Sequence, residues 1–185
     1  MPKETIREAR KNMERVIDST AKELSGIRTG RATLSLLDGI TVDNYGAKSP
    51  INQVASISIP EARLMVIQPW DKSMLGKIEK AILKADLGLN VSSDGNVIRL
   101  TVPELTEERR KDLVRLVKKI AEEKKVEIRN IRRDANDVLK KMEKSGKLSE
   151  DDSRREQQEV QDITDEHISK IDEMIQAKEK EIMKI

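Results

Sequence analysis

The sequence predicts an α+β protein of two domains, in which an antiparallel three-helix bundle carries an inserted small β/α/β domain. Segments at both ends of the chain carry apolar residues at alternating steps of three and four, the spacing of one buried helix face. Between them the apolar residues alternate with a period of two, with Gly, Pro and Asn at turns. Only 1% of the 185 residues are aromatic and 38% are charged, which is typical of long amphipathic helices.

The first helix is predicted to begin at Pro2 and to need partner helices along most of its length. Its apolar positions repeat at roughly 3.5 residues, so the helix cannot bury them alone. Gly30 is interpreted as the end of this helix and as a hinge candidate. The apolar stripe consists of Ile6, Ala9, Met13, Val16, Thr20, Leu24 and Ile27.

Residues 31–104 are predicted to form the small α+β domain. Alternating apolar residues indicate strands, and Pro60 is expected to break one of them. A short helix capped by Asp71 or Ser73 follows, and Trp70 beside this cap is interpreted as a core residue rather than as a stacking platform. The predicted strands lie at residues 40–42, 55–59, 64–67, 91 and 97–102, with turns at 44–46 and 92–96 and the helix stripe at Leu75, Ile78 and Ile82.

Two long helices are predicted after the small domain. The first begins after a cap at Thr106 and extends to Lys144, and Lys124 on its stripe is expected to leave a local gap or to extend its stem towards water. The second begins with a capping box of Ser149 and Asp152 and is expected to fray at its polar end. Their stripes consist of Leu113, Val117, Ile120, Ala121, Ile128, Ile131, Ala135, Val138 and Met142, and of Val160, Ile163, His167, Ile171, Met174, Lys178 and Ile182.

Three amphipathic helices can bury their stripes only against each other, so the bundle is expected to be discontinuous in sequence. Residues 1–30 and 105–185 would form it, and residues 31–104 the inserted domain. The two chain crossings contain Gly and Pro, so the angle between the domains is expected to be adjustable. A closed bundle of this kind is expected to be a monomer. The predicted hinge residues are Gly30, Arg31, Pro103 and Glu104.

The most distinctive basic group lies in the middle of the long helix predicted between Thr106 and Lys144. Arg129, Arg132 and Arg133 fall outside the buried stripe and are neighbours on the helix surface. Interleaved acids allow an ordinary solvated face, whereas the planar fork of arginine also suits a patch that binds phosphate. The formal net charge is only +2, which gives little long-range steering, so any contact with RNA must come from the local placement of arginines.

A second basic group flanks the predicted domain junction. Arg28 and Arg31 lie at the predicted end of the first helix, where Arg28 suits the negative end of the helix dipole. Arg109 and Arg110 lie at the positive end of the long helix that begins after Thr106, so they point to an external anion. The alternative is that these charges merely flank a helix end.

The residue inventory offers no catalytic constellation. The sequence has no cysteine, and its single histidine, His167, lies on an apolar stripe and is interpreted as a bundle-edge residue rather than a base or a ligand. No phosphate-binding loop motif is present, and few rings are available to stack on bases. We therefore expect a non-enzymatic protein without a cofactor. Because no signal peptide or run of about 20 apolar residues is found, we expect it to be cytoplasmic and not membrane-bound.

Four stretches resemble the bacterial ribosome recycling factor family: residues 27–32 (IRTGRA), 86–90 (DLGLN), 105–111 (LTEERRK) and 128–137 (IRNIRRDAND). The resemblance covers the whole chain. It implies an L-shaped protein similar to tRNA in outline, which binds the large ribosomal subunit after termination. With elongation factor G and GTP hydrolysis by that factor, it would split the ribosome so that mRNA and tRNA are released.

By position, the resemblance also implies the residues that contact rRNA. The implied residues are Arg132, Arg129, Arg133, Arg110, Arg28 and Arg31. The main alternative is a helical-bundle interaction protein or chaperone, which would need an unsatisfied apolar stripe and would oligomerise through it. An enzyme of unknown type is a third possibility, which the missing side-chain chemistry disfavours.

Overall fold

The computed structural model describes residues 2–184 and contains both helices and antiparallel sheets, which confirms the predicted α+β class. The chain separates into two compact units, here called the helical unit (residues 2–27 and 107–184) and the small unit (residues 28–106). The elements are α1 (Pro2–Ser25), β1 (Thr41–Asn44), β2 (Ala47–Pro50), β3 (Ala55–Glu61), β4 (Leu64–Pro69), α2 (Leu75–Lys84), β5 (Asn90–Ser93), β6 (Ile98–Thr101), α3 (Glu107–Lys144) and α4 (Glu150–Met183), with 3-10 turns at Leu34–Leu37, Ile51–Gln53 and Lys72–Met74.

The helical unit is an antiparallel three-helix bundle, as predicted. Helix α3 meets the end of α1 at Lys124, whose ammonium lies 3.5 Å from a Glu23 carboxylate oxygen, and meets the start of α1 near Ala135. It runs antiparallel to α4 as well, since Lys118 lies beside Glu179. The three apolar stripes pack against each other, so the unsatisfied stripe that the interaction-protein alternative requires is not found in the described helices.

Helix α1 buries its predicted stripe from Ile6 to Leu24 but ends earlier than predicted, so Ile27 lies beyond it and is only partly buried. The helix stops at Ser25, not at Gly30. Gly26 disfavours a further helical turn because glycine costs roughly 1 kcal/mol relative to alanine in a helix. The Ser25 hydroxyl also donates at 2.7 Å to the Lys22 carbonyl, which accepts the Gly26 N–H at 3.2 Å as well. The buried residues are Ile6, Ala9, Met13, Val16, Thr20 and Leu24.

The buried faces of α3 and α4 depart from the predicted stripes by one residue at two places. In α3 the predicted core residue Val138 is 39% exposed, and its neighbour Leu139 is fully buried in its place. In α4 Ile175 is buried, whereas the predicted Met174 is only partly buried. A heptad assumes 3.5 residues per turn but an α-helix has about 3.6, so a strict heptad drifts by roughly 20° per repeat. Both corrections lie in the direction of that drift.

Two lysines occupy the break in the apolar stripe of α3 between Ala121 and Ile128. The side chains of Lys124 and Lys125 are only 13% and 17% exposed. Lys124 lies near carboxylates of α1 and α3, and Lys125 lies 2.5 Å from Asp172 of α4. Burial lowers the pKa of Lys124, but bonds and charges from neighbouring glutamates raise it by more, so its net pKa is raised. The Lys124 stem therefore extends from the stripe, one of the two predicted alternatives, but its ammonium meets the Glu23 and Glu127 carboxylates and the side chain stays largely buried.

The beginning of α4 confirms the predicted cap at Ser149 and its pairing with Asp152, whose carboxylate accepts the Ser149 hydroxyl at 2.7 Å. The Ser149 hydroxyl oxygen accepts the backbone N–H of Asp152 at 3.1 Å. Hydrogen bonds from the Ser149 hydroxyl and from Arg155 lower the pKa of the Asp152 carboxyl. The predicted fraying at the other end is wrong, because Ile182 is fully buried and α4 remains helical to Met183.

The small unit contains two antiparallel sheets. One is the β1–β2 hairpin, whose turn residues Tyr45 and Gly46 both have positive φ, as a two-residue type I′ turn requires. Strand β2 was not predicted, because its residues Ala47–Pro50 show no apolar alternation. The other sheet has the strand order β3-β4-β6-β5.

Two predicted strand boundaries in the larger sheet need correction. Strand β3 continues through Pro60 to Glu61, with a register shift after Ser58. Because β3 is an edge strand, the missing N–H of proline need not leave a ladder bond unmade. The predicted turn at residues 92–96 is shorter, since β5 extends to Ser93.

The core of the small unit is aliphatic, and the prediction that Trp70 belongs to it is wrong. Trp70 is 69% exposed. It stands between the end of β4 and the Asp71 cap, while α2 and the sheets fill the interior with Ile, Leu, Val and Met. Within residues 2–184, no helix is both long and apolar enough to cross a membrane.

Candidate nucleic-acid interface

The three arginines in the middle of α3 line a single open groove of about 400 Å³, here called the arginine groove. One wall comes from α3 and the other includes Gln161 of α4. The lining residues are Val126, Arg129, Asn130, Arg132, Arg133, Asn136, Asp137, Lys140 and Gln161. The structure therefore brings together the three arginines that the sequence singled out.

Helical spacing explains the members of the groove that sequence reasoning missed on α3. Asn136 follows Arg132 by four residues, and Lys140 follows Arg133 by seven, so both lie on the arginine face. That spacing could have found them. Gln161 belongs to a different helix, and only the registration of α3 against α4 could have placed it here.

The acids interleaved with these arginines mostly do not neutralise them. Glu127 binds the ammonium of Lys124 at 3.1 Å, and Asp134 lines a different groove, between α1 and α3. Asp137 is the interleaved acid that lines the arginine groove. An ordinary solvated face with paired charges therefore describes these arginines less well than an anion-binding groove.

Neutral amides hold two of the three guanidinium groups. Arg132 donates to the Gln161 side-chain oxygen at 3.1 Å, and Arg133 donates to the Asn130 side-chain oxygen at 2.8 Å. Arg129 has a distant carboxylate, Glu122, at 4.0 Å. An amide acceptor orients a guanidinium without cancelling its charge, so the groove keeps a positive field and N–H donors, which suit phosphate oxygens.

Arg28 and Arg31 belong to the small unit, and both are exposed. The Arg28 guanidinium donates to the backbone carbonyl of Leu87 at 2.8 Å. This bond joins two of the stretches on which the family resemblance rests, residues 27–32 and 86–90. It differs from the expected interaction with the end of α1, because α1 ends three residues before Arg28.

Arg110 lies near the start of α3, away from the arginine groove. It precedes Arg129 by 19 residues, which is roughly 28 Å along a helix. Its side-chain Nε is buried and makes no hydrogen bond. The expected conflict with the helix dipole is reduced, because Glu107 and Glu108 occupy the first turn.

His167 is not the bundle-edge residue that the sequence suggested. It is 1% exposed and lies in the bundle core, where its Nδ1 donates to the Ile163 carbonyl at 2.7 Å. Its Nε2 is buried without a hydrogen-bond partner. Among the described residues, no group of three potential His, Asp or Glu ligands could hold a metal ion.

The predicted hinge residues lie close to two backbone anchors within the small unit. Gly30 has a φ of 78°, a left-handed conformation that glycine adopts without strain. After Gly30, the Ala32 N–H donates to the Ala62 carbonyl at 2.8 Å. Before Pro103, the Val102 N–H donates to the Arg63 carbonyl at 2.8 Å. The Arg63 guanidinium lies 3.3 Å from the Glu104 carboxylate.

Comparison with known proteins identifies the family. The family model described as ribosome recycling factor matches residues 20–183. The chain belongs to the ribosome recycling factor family. It is 56% identical to the ribosome-recycling factor of Bacillus subtilis (strain 168) over 185 residues, which is the full length of both chains.

Two solved structures of the family are similar over nearly all of the chain. The solution structure of a ribosome recycling factor is 43% identical, has a TM-score of 0.78 and is matched over 100% of this chain and 98% of that one. The second belongs to models for the T. thermophilus ribosome recycling factor and the E. coli elongation factor G bound to the E. coli post-termination complex. It is 48% identical, has a TM-score of 0.66 and is matched over 99% of both chains.

Proposed function

We propose that this chain is a translation factor that recycles post-termination ribosomes. It binds rRNA of the large subunit, and together with elongation factor G it splits the ribosome into subunits, so that mRNA and tRNA are released. The proposal is supported by family membership and by the relative placed with elongation factor G on a post-termination complex.

The observation that carries the proposal is the arginine groove. Arg129, Arg132 and Arg133 share one open surface, and two of them are held by uncharged amides. Arginine forks bind phosphate oxygens with two parallel hydrogen bonds, and contacts with phosphate dominate the affinity of proteins for nucleic acid. The proposed rRNA-binding residues are these three with Arg110, Arg28 and Arg31.

The bundle is suited to act as a rigid bar once it is anchored. Helix α3 has 38 residues and spans about 57 Å, and it is packed against both α1 and α4. A force applied at one end of such a bar reaches the anchored groove with little deformation, because close-packed interiors are stiff. Elongation factor G would supply that force, and the bar would transmit it to the contacts between the subunits.

The small unit would change its angle to the bundle about Gly30, Arg31, Pro103 and Glu104. The backbone bonds of Ala32 and Val102 anchor the chain within the small unit, so the residues between these anchors and the helices absorb the rotation. Few residues are needed for such a hinge.

GTP hydrolysis is assigned to elongation factor G, and the factor itself is proposed not to be an enzyme. Its single histidine is buried with one ring nitrogen bound to a backbone carbonyl, so it cannot reach a substrate. The factor contributes binding and mechanical coupling.

Splitting of purified post-termination ribosomes, followed by light scattering, tests the proposal. With elongation factor G and GTP, the factor should lower the scattering as subunits separate, and Arg132→Ala should slow this change at limiting factor concentration. Arg154→Ala is the matched control, because Arg154 pairs with Glu150 on an exposed face of α4. A factor that leaves the scattering unchanged would contradict the proposed function.

A further inference from the structure

We propose that Gln161 and Asp165 of α4 are positioning residues for Arg132, so that the arginine groove is a site built by two helices. This inference rests on the proposed function, because it assumes that the groove binds rRNA. It extends that function to a helix that carries none of the proposed rRNA-binding arginines.

The three side chains form a continuous chain of hydrogen bonds across the bundle surface. Arg132 donates to the Gln161 side-chain oxygen at 3.1 Å, and the Gln161 side-chain nitrogen donates to Asp165 Oδ1 at 2.8 Å. A guanidinium can only donate and an ionised carboxylate can only accept. Only one orientation of the Gln161 amide satisfies both neighbours, so Asp165 fixes which end of the amide faces Arg132.

A neutral amide is the appropriate support for an anion-binding arginine. A free arginine side chain loses considerable rotamer freedom when it binds, and a support that already restricts it reduces that loss. A carboxylate in direct contact would restrict it too but would cancel its charge, as Asp172 does for Lys125 in the same bundle. Here the carboxylate of Asp165 stands one side chain further away.

The backbone that carries Gln161 is well fixed. Val160 is fully buried, and so is Ile163 three residues later, so both anchor this turn of α4 in the bundle core. Gln161 itself is partly buried, and its bond to Arg132 joins α4 to α3. The position of the Arg132 guanidinium therefore depends on the packing of α4 against α3.

The same helix provides a matched control. Gln158 donates to Asp162 at 2.9 Å, the same four-residue pairing of glutamine and aspartate. This pair does not line the arginine groove. Gln158→Ala therefore removes an equivalent local bond of α4 and leaves the support of Arg132 in place.

A double-mutant cycle on binding to isolated large ribosomal subunits tests the inference. Gln161→Ala should weaken binding by roughly three- to tenfold, the effect of one hydrogen bond of ordinary strength, whereas Gln158→Ala should change it less than about twofold. In an Arg132→Ala background, Gln161→Ala should have almost no further effect, because its role acts through that arginine. Asp165→Ala should show the same dependence on Arg132.

The outcomes separate the inference from the function beneath it. Equal losses from Gln161→Ala with and without Arg132 would indicate a general structural role and would overturn the positioning role. The positioning role would also be overturned if Gln161→Ala binds with the affinity of the parent while Arg132→Ala binds weakly. If Arg132→Ala itself binds like the parent protein, the arginine groove is not the anchor, and the proposed mode of rRNA binding fails as well.

A second variant keeps the test informative if Gln161→Ala destabilises the bundle. Gln161→Glu retains an acceptor for Arg132 but adds a negative charge to the groove. It should fold, bind more weakly than the parent, and lower the slope of log affinity against log salt by about one, as the loss of one phosphate contact does. An unchanged affinity and slope would overturn the inference.

Discussion

Two pairs of adjacent basic residues on α3, Lys124–Lys125 and Arg132–Arg133, lie eight residues apart and have different surroundings. The lysine side chains are largely buried, and carboxylates of α1, α3 and α4 surround them. The arginines line an open groove, where each donates to a neutral amide. The lysines therefore hold the bundle together, and the arginines remain able to bind an anion.

The role of a basic residue is therefore indicated by its partner and not by its charge. Lys125 is neutralised by Asp172, which is 47 residues away in sequence, and Arg132 is supported by Gln161, which is 29 residues away. Both partners come from α4.

The largest expected effect is on ribosome binding by the triple variant Arg129→Ala, Arg132→Ala and Arg133→Ala. Its affinity for large subunits at low salt should fall by roughly 100-fold or more, because several charge-assisted contacts are lost together. The double variant Lys124→Met and Lys125→Met should bind like the parent. Co-sedimentation measures both, and equal losses in the two variants would remove the distinction between the pairs.

Stability should show the opposite order. Lys125→Ala should lower the free energy of unfolding by about 1–2 kcal/mol, because it removes a packed stem and leaves Asp172 without its close partner. Lys125→Met keeps the stem and should cost less. Urea unfolding at neutral pH measures both, and Arg133→Ala serves as the control, with an expected change within about 0.5 kcal/mol. A larger loss in Arg133→Ala than in Lys125→Ala would contradict the structural role of the lysines.

A smaller effect on the free energy of unfolding is expected at Trp70, where the surroundings of an apolar side chain, and not its residue type, decide its contribution. Although large and apolar, Trp70 is exposed, so Trp70→Ala should change the free energy of unfolding by at most about 0.5 kcal/mol. It is the only tryptophan in the chain, so its fluorescence reports on this site alone. The emission maximum should move little on unfolding in urea, and a large red shift would show that the ring is buried.

The smallest expected effect concerns an exposed carboxylate whose partners are mostly backbone. Hydrogen bonds from the Val97 and Asn96 N–H groups and from Arg99 lower the pKa of Asp94 from 3.8 to about 2. A lowered pKa means that the stabilisation is complete above about pH 4 and is lost as the pH falls towards 2. Asp94→Asn should remove this part of the acid dependence. Identical stability profiles of the two proteins between pH 2 and 6 would contradict it.

The fold class and the long helices could be predicted from sequence because their signals are local and repeated. The predictions failed where a non-local fact decided the outcome. Pro60 is tolerated because β3 is an edge strand, and Trp70 is exposed because aliphatic residues fill the small core. Leu139 replaced Val138 in the core because real helices drift from a heptad.

The candidate site divides in the same way. The sequence placed Arg129, Arg132 and Arg133 on one helix face, since neighbours at three and four residues must meet there. It could not place Gln161 beside them, because that contact depends on how α4 registers against α3. Nor could the sequence show that Glu127 forms an ion pair with Lys124, which leaves the positive charge of the arginine groove less neutralised.

The role of the arginine groove as the rRNA anchor is best tested by the salt dependence of binding to large ribosomal subunits, compared among the parent, Arg132→Ala and Lys125→Ala. Arg132→Ala should lower both the affinity and the slope of log affinity against log salt, the slope by about one. Lys125→Ala, compared while folded, should keep the parent slope. A parent slope in Arg132→Ala together with a reduced slope in Lys125→Ala would contradict the assignment of the groove as the rRNA anchor.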